Sequence, residues 1–464
     1  MSDSDEKPSS PAPTRRLTTY TCPGEPYSIS RSIHLARLAA FYAKCQDCEH
    51  RFDIEPNFLA AKAPPFPPEL RVTRPQSLVT EENVRGVYLN DLDRNRAIAW
   101  GEAFAARLWE AHPMQAAREL AEISQIVEEP AAEAERPSVD AIGPKVIVGF
   151  DERPSSPDIV TGVVLGLRRM GCHVIDLGQT SFPLVAFHLT ETDATAGLYV
   201  TGAGGDPALT GFDFLGRGSQ RLSIETLQQI EQDSLAGVGR QTRQIGRHMP
   251  QLVQSRYESS LVSRFHALRP LRIVCGTATR LLPRILDPLF SRLPCTLTHV
   301  SLPIRKRNLS DAKDVDLQRV ARSVVDHQQH LGLVIDEDGE HTAFVTDQGR
   351  LVTVKQMTRI LMEFTQRENH TAKFLVASSL FPEATAWLEG REATAIDGGE
   401  TATGLVQQFV TSAAVMAFSA DGRIWFHDVH PTCDALLVMA QLLQVLSLSD
   451  APFSAVVNRL CVDP

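Results

Sequence analysis

The sequence predicts an α/β protein of three consecutive domains with mixed, largely parallel sheets, preceded by a small N-terminal extension. Three segments repeat the order strand, helix, strand: 145–178, 271–301 and 372–399. Strands that alternate with helices indicate βαβ units, in which right-handed crossovers join parallel strands. The repeats are roughly a hundred residues apart, an ordinary domain size. A chain of 464 residues is also too long for one typical core.

The first repeat carries clear signals for each of its elements. The β-branched run Val146–Val148 predicts a strand. Ser156 is predicted as the N-cap of the following helix, with Pro157 as its first residue. Gly171 is expected to end that helix before a second strand over 173–177. The other two repeats follow the same plan.

The connecting stretches set the predicted boundaries. The Ala/Glu-rich stretch 114–129 predicts a helix, and 130–140 predicts a solvated linker. We predict five parts in chain order: a disordered tail (1–20), a Cys/His extension (21–75) and three domains (76–250, 251–352 and 353–464).

Composition and charge exclude several classes of protein. The net charge of −10 argues against non-specific binding to nucleic acid, because no basic excess is available to neutralise phosphates. No apolar run is long enough to span a bilayer, and the polar N-terminus lacks the apolar core of a secretory signal. The eight scattered cysteines favour reduced thiols in the cytoplasm. The sequence identifies no protein partner.

A glycine-rich loop follows the predicted strand Leu198–Val200, in the stretch "LYVTGAGGDPALTGFDF". Glycines let backbone N–H groups approach a phosphate closely, because no Cβ stands in the way. This loop contains no serine, cysteine, histidine or lysine that could add chemistry. The residues alone leave two readings open, a phosphate-binding loop or a plain turn.

An acidic cluster follows another predicted strand, Leu333–Ile335. Asp336, Asp338 and Glu340 come at alternate positions, so their carboxylates could converge on one side. Carboxylate oxygens are the ligands that Mg²⁺ prefers in proteins. The alternative is an acidic hairpin turn without a metal.

This acidic cluster resembles the metal loop D-G-D-x-D-R of the α-D-phosphohexomutases, the phosphoglucomutase/phosphomannomutase group. Three further stretches resemble family segments in the same order: the opening I-R-G segment at 84–106, the V-G-x-D-x-R-x-S-S segment at 148–178, and a third-domain segment at 422–446. The resemblance therefore runs from Val84 to the C-terminus.

The resemblance implies a fold, a reaction and a set of site residues. In the family, a phosphoserine exchanges a phosphoryl group with a hexose monophosphate, and Mg²⁺ on three aspartates neutralises the developing charge. It therefore implies a hexose phosphate ligand. The implied residues are Thr201, Gly204, Gly205 and Gly211 in the phosphate loop, Arg85, Arg153 and Arg423 facing the substrate, and Asp336, Asp338 and Glu340 holding Mg²⁺.

Several positions depart from the family pattern. The phosphoserine position is Ala203, which has no oxygen to hold a phosphoryl group, and Asp206 adds negative charge nearby. Glu340 replaces the third aspartate and His341 the arginine of the metal loop. The sugar-reading loop, which the family writes G-E-x-S-G-H, keeps only Gly422. The family's fourth domain, with its phosphate-binding loop, is expected to be absent.

These departures lead to one hypothesis and one alternative. We expect a catalytically impaired phosphohexomutase-like protein of carbohydrate metabolism that binds a sugar phosphate or acts as a scaffold. The alternative is an active, divergent mutase that converts hexose 1-phosphate and 6-phosphate, with Thr201 or an aspartate as the replacement nucleophile.

The N-terminal extension lies outside the resemblance and contains three cysteines. Cys22, Cys45 and Cys48, with His50 as the fourth ligand, could form a Zn²⁺ site, since C-x-x-C pairs suit tetrahedral thiolate binding. His34 is less suited, because a continuous helix from Ser28 or Ser30 to Lys44 would hold it far from Cys45. The alternative is a set of free thiols beside a helix that packs on a partner or on the rest of the chain.

Overall fold

The computed structural model describes most of the chain. The described residues are 19–23, 25–40, 42–45, 48–51, 77–126, 143–240, 242–427 and 433–461, without the side chains of 112–126. They belong to two compact units, 1–74 and 75–464. Most of the predicted tail and the whole predicted linker lie outside the described residues.

The N-terminal unit contains a small hairpin and one helix. Strands β1 (Thr19–Thr21) and β2 (Ser28–Ser30) pair antiparallel, so β1 begins inside the range predicted as a tail. Ser30 caps α1 (Arg31–Ala39) by accepting a hydrogen bond from the backbone of the first turn. The prediction of one helix up to Lys44 is wrong. The helix closes when the N–H of Tyr42 donates to the carbonyl of Arg37, a Schellman-type C-terminal bond.

The larger unit contains three sheets, of which the first has six strands. Its order is β3-β7-β6-β4-β5-β8, and the four neighbouring strands β6, β4, β5 and β8 run parallel to one another. The strands are β3 (Val84–Val87), β4 (Lys145–Phe150), β5 (His173–Gln179), β6 (Ala196–Val200), β7 (Leu209–Leu215) and β8 (His248–Pro250). The helices of this region are α2 (Arg94–Ile126), α3 (Ser156–Arg169), α4 (Phe182–Thr190), α5 (Ile224–Ala236) and α6 (Gln254–Val262).

The second and third sheets each have four strands. The second has the order β10-β9-β11-β12 and the third β14-β13-β15-β16. The second comprises β9 (Arg272–Thr277), β10 (Thr296–Ser301), β11 (Leu331–Ile335) and β12 (Thr342–Thr346), with helices α7 (Leu281–Phe290) and α8 (Val315–Asp326). The third comprises β13 (Lys373–Val376), β14 (Thr394–Asp397), β15 (Met416–Phe418) and β16 (Ile424–Phe426), with helices α9 (Val354–Glu368), α10 (Phe381–Leu388), α11 (Ala402–Thr411), α12 (Ala435–Ser447) and α13 (Phe453–Cys461).

One topological unit occurs in all three sheets. In each, three parallel strands are followed by a fourth that turns back antiparallel on the third, as β12 does on β11 and β16 on β15. In the first sheet, β4, β5, β6 and β7 form this unit. The three sheets fall within the three predicted domain segments, and the predicted α/β class with mixed, largely parallel sheets is confirmed. The domain boundaries stay a prediction.

The start of α3 differs from its prediction by one residue. Ser155 is the N-cap, and Ser156 is the first helical residue. The hydroxyl of Ser156 is engaged elsewhere, because it donates a short hydrogen bond to the carboxylate of Asp151. The helix stops at Gly171 as predicted, where the glycine takes a φ of 86°. The hydrogen bond from Ser156 to Asp151 therefore links the start of α3 to the end of β4.

Helices α2 and α3 pack with their backbones in close approach. A Cβ on Gly162 would lie 2.4 Å from the carbonyl oxygen of Arg94, and one on Gly166 would lie 2.3 Å from that of Ile98. Glycine at both positions therefore lets α3 lie directly on α2. Within the described part of the chain, no helix combines the length and apolarity needed to cross a bilayer.

Candidate functional site

Three connections occupy equivalent places in the three sheets. Each joins the third strand of the shared topological unit to its antiparallel neighbour. They are residues 201–208 between β6 and β7, the glycine loop; 336–341 between β11 and β12, the acidic loop; and 419–423 between β15 and β16, the third loop. These are the loops that the sequence singled out. Arg153 links the first two loops, because it hydrogen-bonds to the carbonyl of Asp206 and pairs with Glu337. His341 of the acidic loop contacts Asp421 of the third loop.

Asp151 anchors the start of the glycine loop. Its carboxylate accepts hydrogen bonds from the hydroxyl of Thr201 at 2.7 Å and from the N–H of Gly202 at 3.2 Å. It also accepts the N–H of Arg153 at 3.0 Å. Thr201 is fully buried beneath the loop. The loop therefore starts from a buried carboxylate-centred network.

Other N–H groups of the glycine loop are also engaged within the loop itself. The N–H of Ala203 donates to the hydroxyl of Thr201 at 2.9 Å, and the N–H of Gly205 donates to the carbonyl of Gly202 at 3.3 Å. Ala203 is half-buried and Gly204, with a φ of 75°, is exposed at the tip. A phosphate would have to compete with these internal acceptors for the N–H groups of Ala203 and Gly205.

Arg153 lies under the glycine loop and reaches the acidic loop. Its guanidinium donates to the carbonyls of Asp206 at 2.8 Å and Leu209 at 3.2 Å. It also lies 2.5 Å from the carboxylate of Glu337, and its side chain is 1% exposed. A buried guanidinium of this kind holds protein carbonyls and a protein carboxylate.

Arg85 and Gly211 belong to the paired strands β3 and β7. The guanidinium of Arg85 lies 2.7 Å from the carboxylate of Asp213. Gly211 pairs with Arg85 across the strands, and a Cβ on Gly211 would lie 1.8 Å from the carbonyl oxygen of Val84. Gly211 is therefore required by the close approach of two strands.

The acidic loop places its carboxylates against different cations. Asp336 accepts from Arg307 at 2.9 Å, and Asp338 lies 2.5 Å from the ring nitrogen Nδ1 of His341. Glu340 forms a short ion pair with Arg221. Arg221 also lies 3.3 Å from Asp213 and over the ring of Phe182, and so connects the first and second sheets.

Ion pairs join the third loop to Glu82, just before β3, and to His341 of the acidic loop. Arg423 makes a two-pronged contact with Glu82, with both nitrogen–oxygen distances at 2.8 Å. It also contacts Asp421 at 2.8 Å, and Asp421 in turn lies 3.3 Å from His341. Bidentate pairing of a nearly buried guanidinium is among the stronger ion-pair geometries. The predicted substrate-facing Arg423 thus holds two protein carboxylates.

Burial and neighbouring charges shift several pKa values in this region. Burial raises the pKa of Glu340 to about 7, against the opposing charge of Arg221. Burial lowers the pKa of His341, but the charge and hydrogen bond of Asp338 outweigh this and raise it to about 10. Burial favours protonated Asp338, yet His341 lowers the pKa of that carboxyl well below its usual range. The His341–Asp338 contact is therefore an imidazolium–carboxylate pair at neutral pH.

The Mg²⁺ that the resemblance implies does not fit these residues as they stand. Asp336, Asp338 and Glu340 contact three different cations, Arg307, His341 and Arg221. Among the residues that the structure describes, no group of three or more His, Cys, Asp or Glu is placed to hold a metal ion. Alternation along the loop predicted convergence, but the loop turns at Gly339, which has a φ of 73°.

The predicted zinc site is likewise not supported by the N-terminal unit. Cys22, Cys45 and Cys48 are buried free thiols, and Cys22 accepts a contact from Arg37 at 3.3 Å. His50 lies 3.3 Å from Glu49. His34, the alternative ligand, stacks on Tyr20 with 4.0 Å between ring centroids. The alternative of free thiols packed beside a helix stays a prediction.

Sequence reasoning missed the groups that pair with the acidic loop. Arg307 and Arg221 lie in loops without a recognisable motif, and Glu337 stands between two predicted ligands. Glu337 is 6% exposed and is contacted by two arginines. The cluster of cations in "PIRKRN" after β10 was the available signal for Arg307.

Comparisons with known proteins show what the chain is similar to. The family model described as phosphoglucomutase/phosphomannomutase, alpha/beta/alpha domain I, matches residues 127–237. The chain is 23% identical over 324 residues to phosphoglucosamine mutase of Brevibacillus brevis, covering 67% of this chain and 71% of that protein. It is 21% identical over 325 residues to phosphoglucomutase of Neisseria meningitidis, covering 68% of this chain and 69% of that protein.

The fold has close structural counterparts as well. A phosphoglucomutase/phosphomannomutase family protein of Burkholderia thailandensis superimposes with a TM-score of 0.71 at 19% identity, covering 85% of this chain and 81% of that chain. At this identity the likeness shows the fold. Together with the domain I match and the sequence relatives, it shows that the chain belongs to the α-D-phosphohexomutase superfamily.

Proposed function

We propose that this chain is a phosphohexomutase homologue that does not transfer phosphoryl groups and acts as a binding or scaffolding protein of carbohydrate metabolism. One observation carries the proposal: Ala203 stands at the loop position where the family resemblance expects the phosphoserine. A methyl group can neither hold nor deliver a phosphoryl group.

The nearest alternative nucleophile is poorly placed. The hydroxyl of Thr201 donates to Asp151 at 2.7 Å, a distance at which a carboxylate could act as a general base. Thr201 is, however, fully buried, and its oxygen also accepts the N–H of Ala203. A substrate phosphate cannot reach this hydroxyl without opening the loop. The geometry therefore favours the impaired homologue over the divergent enzyme.

The contacts of the three arginines predicted to face the substrate favour a scaffolding role over sugar-phosphate binding. Arg85, Arg153 and Arg423 each contact a protein carboxylate, namely Asp213, Glu337 and Glu82. A phosphate would have to displace these carboxylates. A cytoplasmic location belongs to the same proposal, and the free thiols of the described cysteines support it.

A coupled mutase assay tests the proposal. Glucose 1-phosphate, mannose 1-phosphate and glucosamine 1-phosphate would be supplied with a bisphosphate activator, glucosamine because relatives are named for it. Asp338→Ala, prepared identically, reports contaminating host mutase. We expect equal, background turnover in both proteins. Turnover of the natural chain that the variant lacks would overturn the proposal.

Two further measurements sharpen this test. Incubation with glucose 1,6-bisphosphate followed by mass spectrometry should reveal no phosphorylated residue. Titration with glucose 1-phosphate, followed by the unfolding temperature, separates the two non-catalytic roles. A saturable rise would support sugar-phosphate binding, and no change would support a scaffold.

A further inference from the structure

The acidic loop differs from a metal site in one respect: its carboxylates already have cationic partners. We propose that side-chain cations, led by Arg307, take the place of a divalent cation here, so that the loop is a metal-independent junction between the sheets. The four carboxylates and their partners are Asp336 with Arg307, Glu337 with Arg153, Asp338 with His341, and Glu340 with Arg221.

Arg307 is the cation that contacts Asp336. Its side chain is fully buried, with one terminal nitrogen 2.9 Å from Asp336 and 3.5 Å from Glu337. Its Nε donates to Asp316 at 2.9 Å. Removing this guanidinium would take away the cation that contacts Asp336, whereas Glu337 keeps Arg153 and Asp316 keeps Arg305. A metal ion at Asp336 would therefore lie beside a guanidinium that the fold has fixed, and the two positive charges would repel each other.

Asp338 has little acceptor capacity left for a metal. One of its oxygens accepts the N–H groups of Glu340 at 2.8 Å and His341 at 3.0 Å. The other lies 2.5 Å from Nδ1 of His341. Mg²⁺ requires near-octahedral oxygen ligands at about 2.0–2.1 Å and retains several waters. A carboxylate whose two oxygens already accept three N–H groups is a poor member of such a set.

Glu340 has a cationic partner of its own, Arg221. Arg221, its partner, also contacts Asp213 of the first sheet. The carbonyl of Glu340 accepts a contact from the thiol of Cys433 at 3.2 Å, which fixes the backbone of the loop as well. The three predicted ligands are therefore turned toward separate cations, and each cation connects the loop to another segment.

Direct metal binding tests this proposal, with Mn²⁺ as a paramagnetic probe followed by electron paramagnetic resonance. The natural chain is expected to leave millimolar Mn²⁺ free in solution. Arg307→Met removes the positive charge beside Asp336 and Glu337 and should raise Mn²⁺ affinity by at least about tenfold. Arg305→Met is the matched control, because Arg305 lies on the same loop and its ion pairs within the described residues are with Asp314 and Asp316.

Each outcome decides the proposal. Stoichiometric Mn²⁺ binding by the natural chain that is lost in Asp338→Asn would overturn it, as would an Arg307→Met variant that binds no better than Arg305→Met. If Arg307→Met does not fold, His341→Gln takes its place in the comparison, because this substitution frees one oxygen of Asp338. Equal unfolding temperatures of the natural chain in Mg²⁺ and in a chelator support the proposal. These readouts do not depend on whether the chain transfers phosphoryl groups.

Discussion

The guanidinium of Arg153 lies 2.5 Å from the carboxylate of Glu337, and the two side chains are 1% and 4% exposed. The residues are 184 positions apart and belong to loops of the first and second sheets. This pair belongs to a network of buried ion pairs where the three sheets meet. Arg221–Glu340 and Arg423–Glu82 are two more of its pairs. Such pairs add little net stability over apolar packing, but breaking one leaves a buried charge without a partner.

Arg153→Met should therefore destabilise the protein strongly. It leaves Glu337 with only the more distant Arg307 and removes the donors to the carbonyls of Asp206 and Leu209. We expect the free energy of unfolding to fall by about 3–5 kcal/mol, measured by urea denaturation. Arg94→Met, which breaks a pair with Asp158 at a half-exposed site, should cost at most about 1 kcal/mol. Similar losses in the two variants would contradict this account.

The sequence predicted the fold well, because its signals are local and repeated. Strand, helix and strand recur in each sheet, and glycine or proline marks the helix ends, so the α/β class followed from periodicity. It also located the three loops. It could not predict what their side chains contact, because Arg307 and Arg221 come from distant segments. The alternation that predicted a metal site in the acidic loop failed at Gly339, where the backbone turns.

Two glycines near the glycine loop should respond to alanine very differently. A Cβ at Gly211 would lie 1.8 Å from the backbone of Val84, which cannot move without separating β3 from β7. We expect Gly211→Ala to cost about 3 kcal/mol or more. Gly204 faces open space, and only its φ of 75° opposes a side chain, at about 1–2 kcal/mol. Urea denaturation of both variants checks the order, and the reverse order would contradict the strand pairing.

The hydroxyl of Thr201 should matter for stability through Asp151. It donates to that carboxylate at 2.7 Å and accepts the N–H of Ala203. Thr201→Val keeps the shape but removes both bonds, and we expect a loss of about 1–3 kcal/mol. Thr201→Ser retains the oxygen and should lose less. If the two variants were equally stable in thermal denaturation, the hydroxyl would not be holding the loop.

The buried pair of Tyr257 and Asp434 predicts a dependence of stability on pH. The phenol donates to the carboxylate at 2.5 Å, and Asp434 also caps α12 through the N–H of Leu436. Burial raises the pKa of Asp434 to about 6, although these hydrogen bonds oppose the rise. The folded chain therefore binds this proton more tightly than the unfolded chain, whose carboxyl titrates near its ordinary value of 3.8.

The resulting contribution to stability is fully present below about pH 3.8 and is lost as the pH rises through about 6, by at most about 3 kcal/mol. Asp434→Asn keeps a helix cap but cannot ionise, so the difference in unfolding free energy between natural chain and variant should shrink or reverse from low to neutral pH. Tyr257→Phe removes a bond that lowers the pKa of Asp434, so the loss of stability should be larger and extend to higher pH. Urea denaturation across this pH range measures all three proteins. Parallel curves for the natural chain and Asp434→Asn would show that Asp434 does not titrate there, because only an ionising carboxyl can separate them.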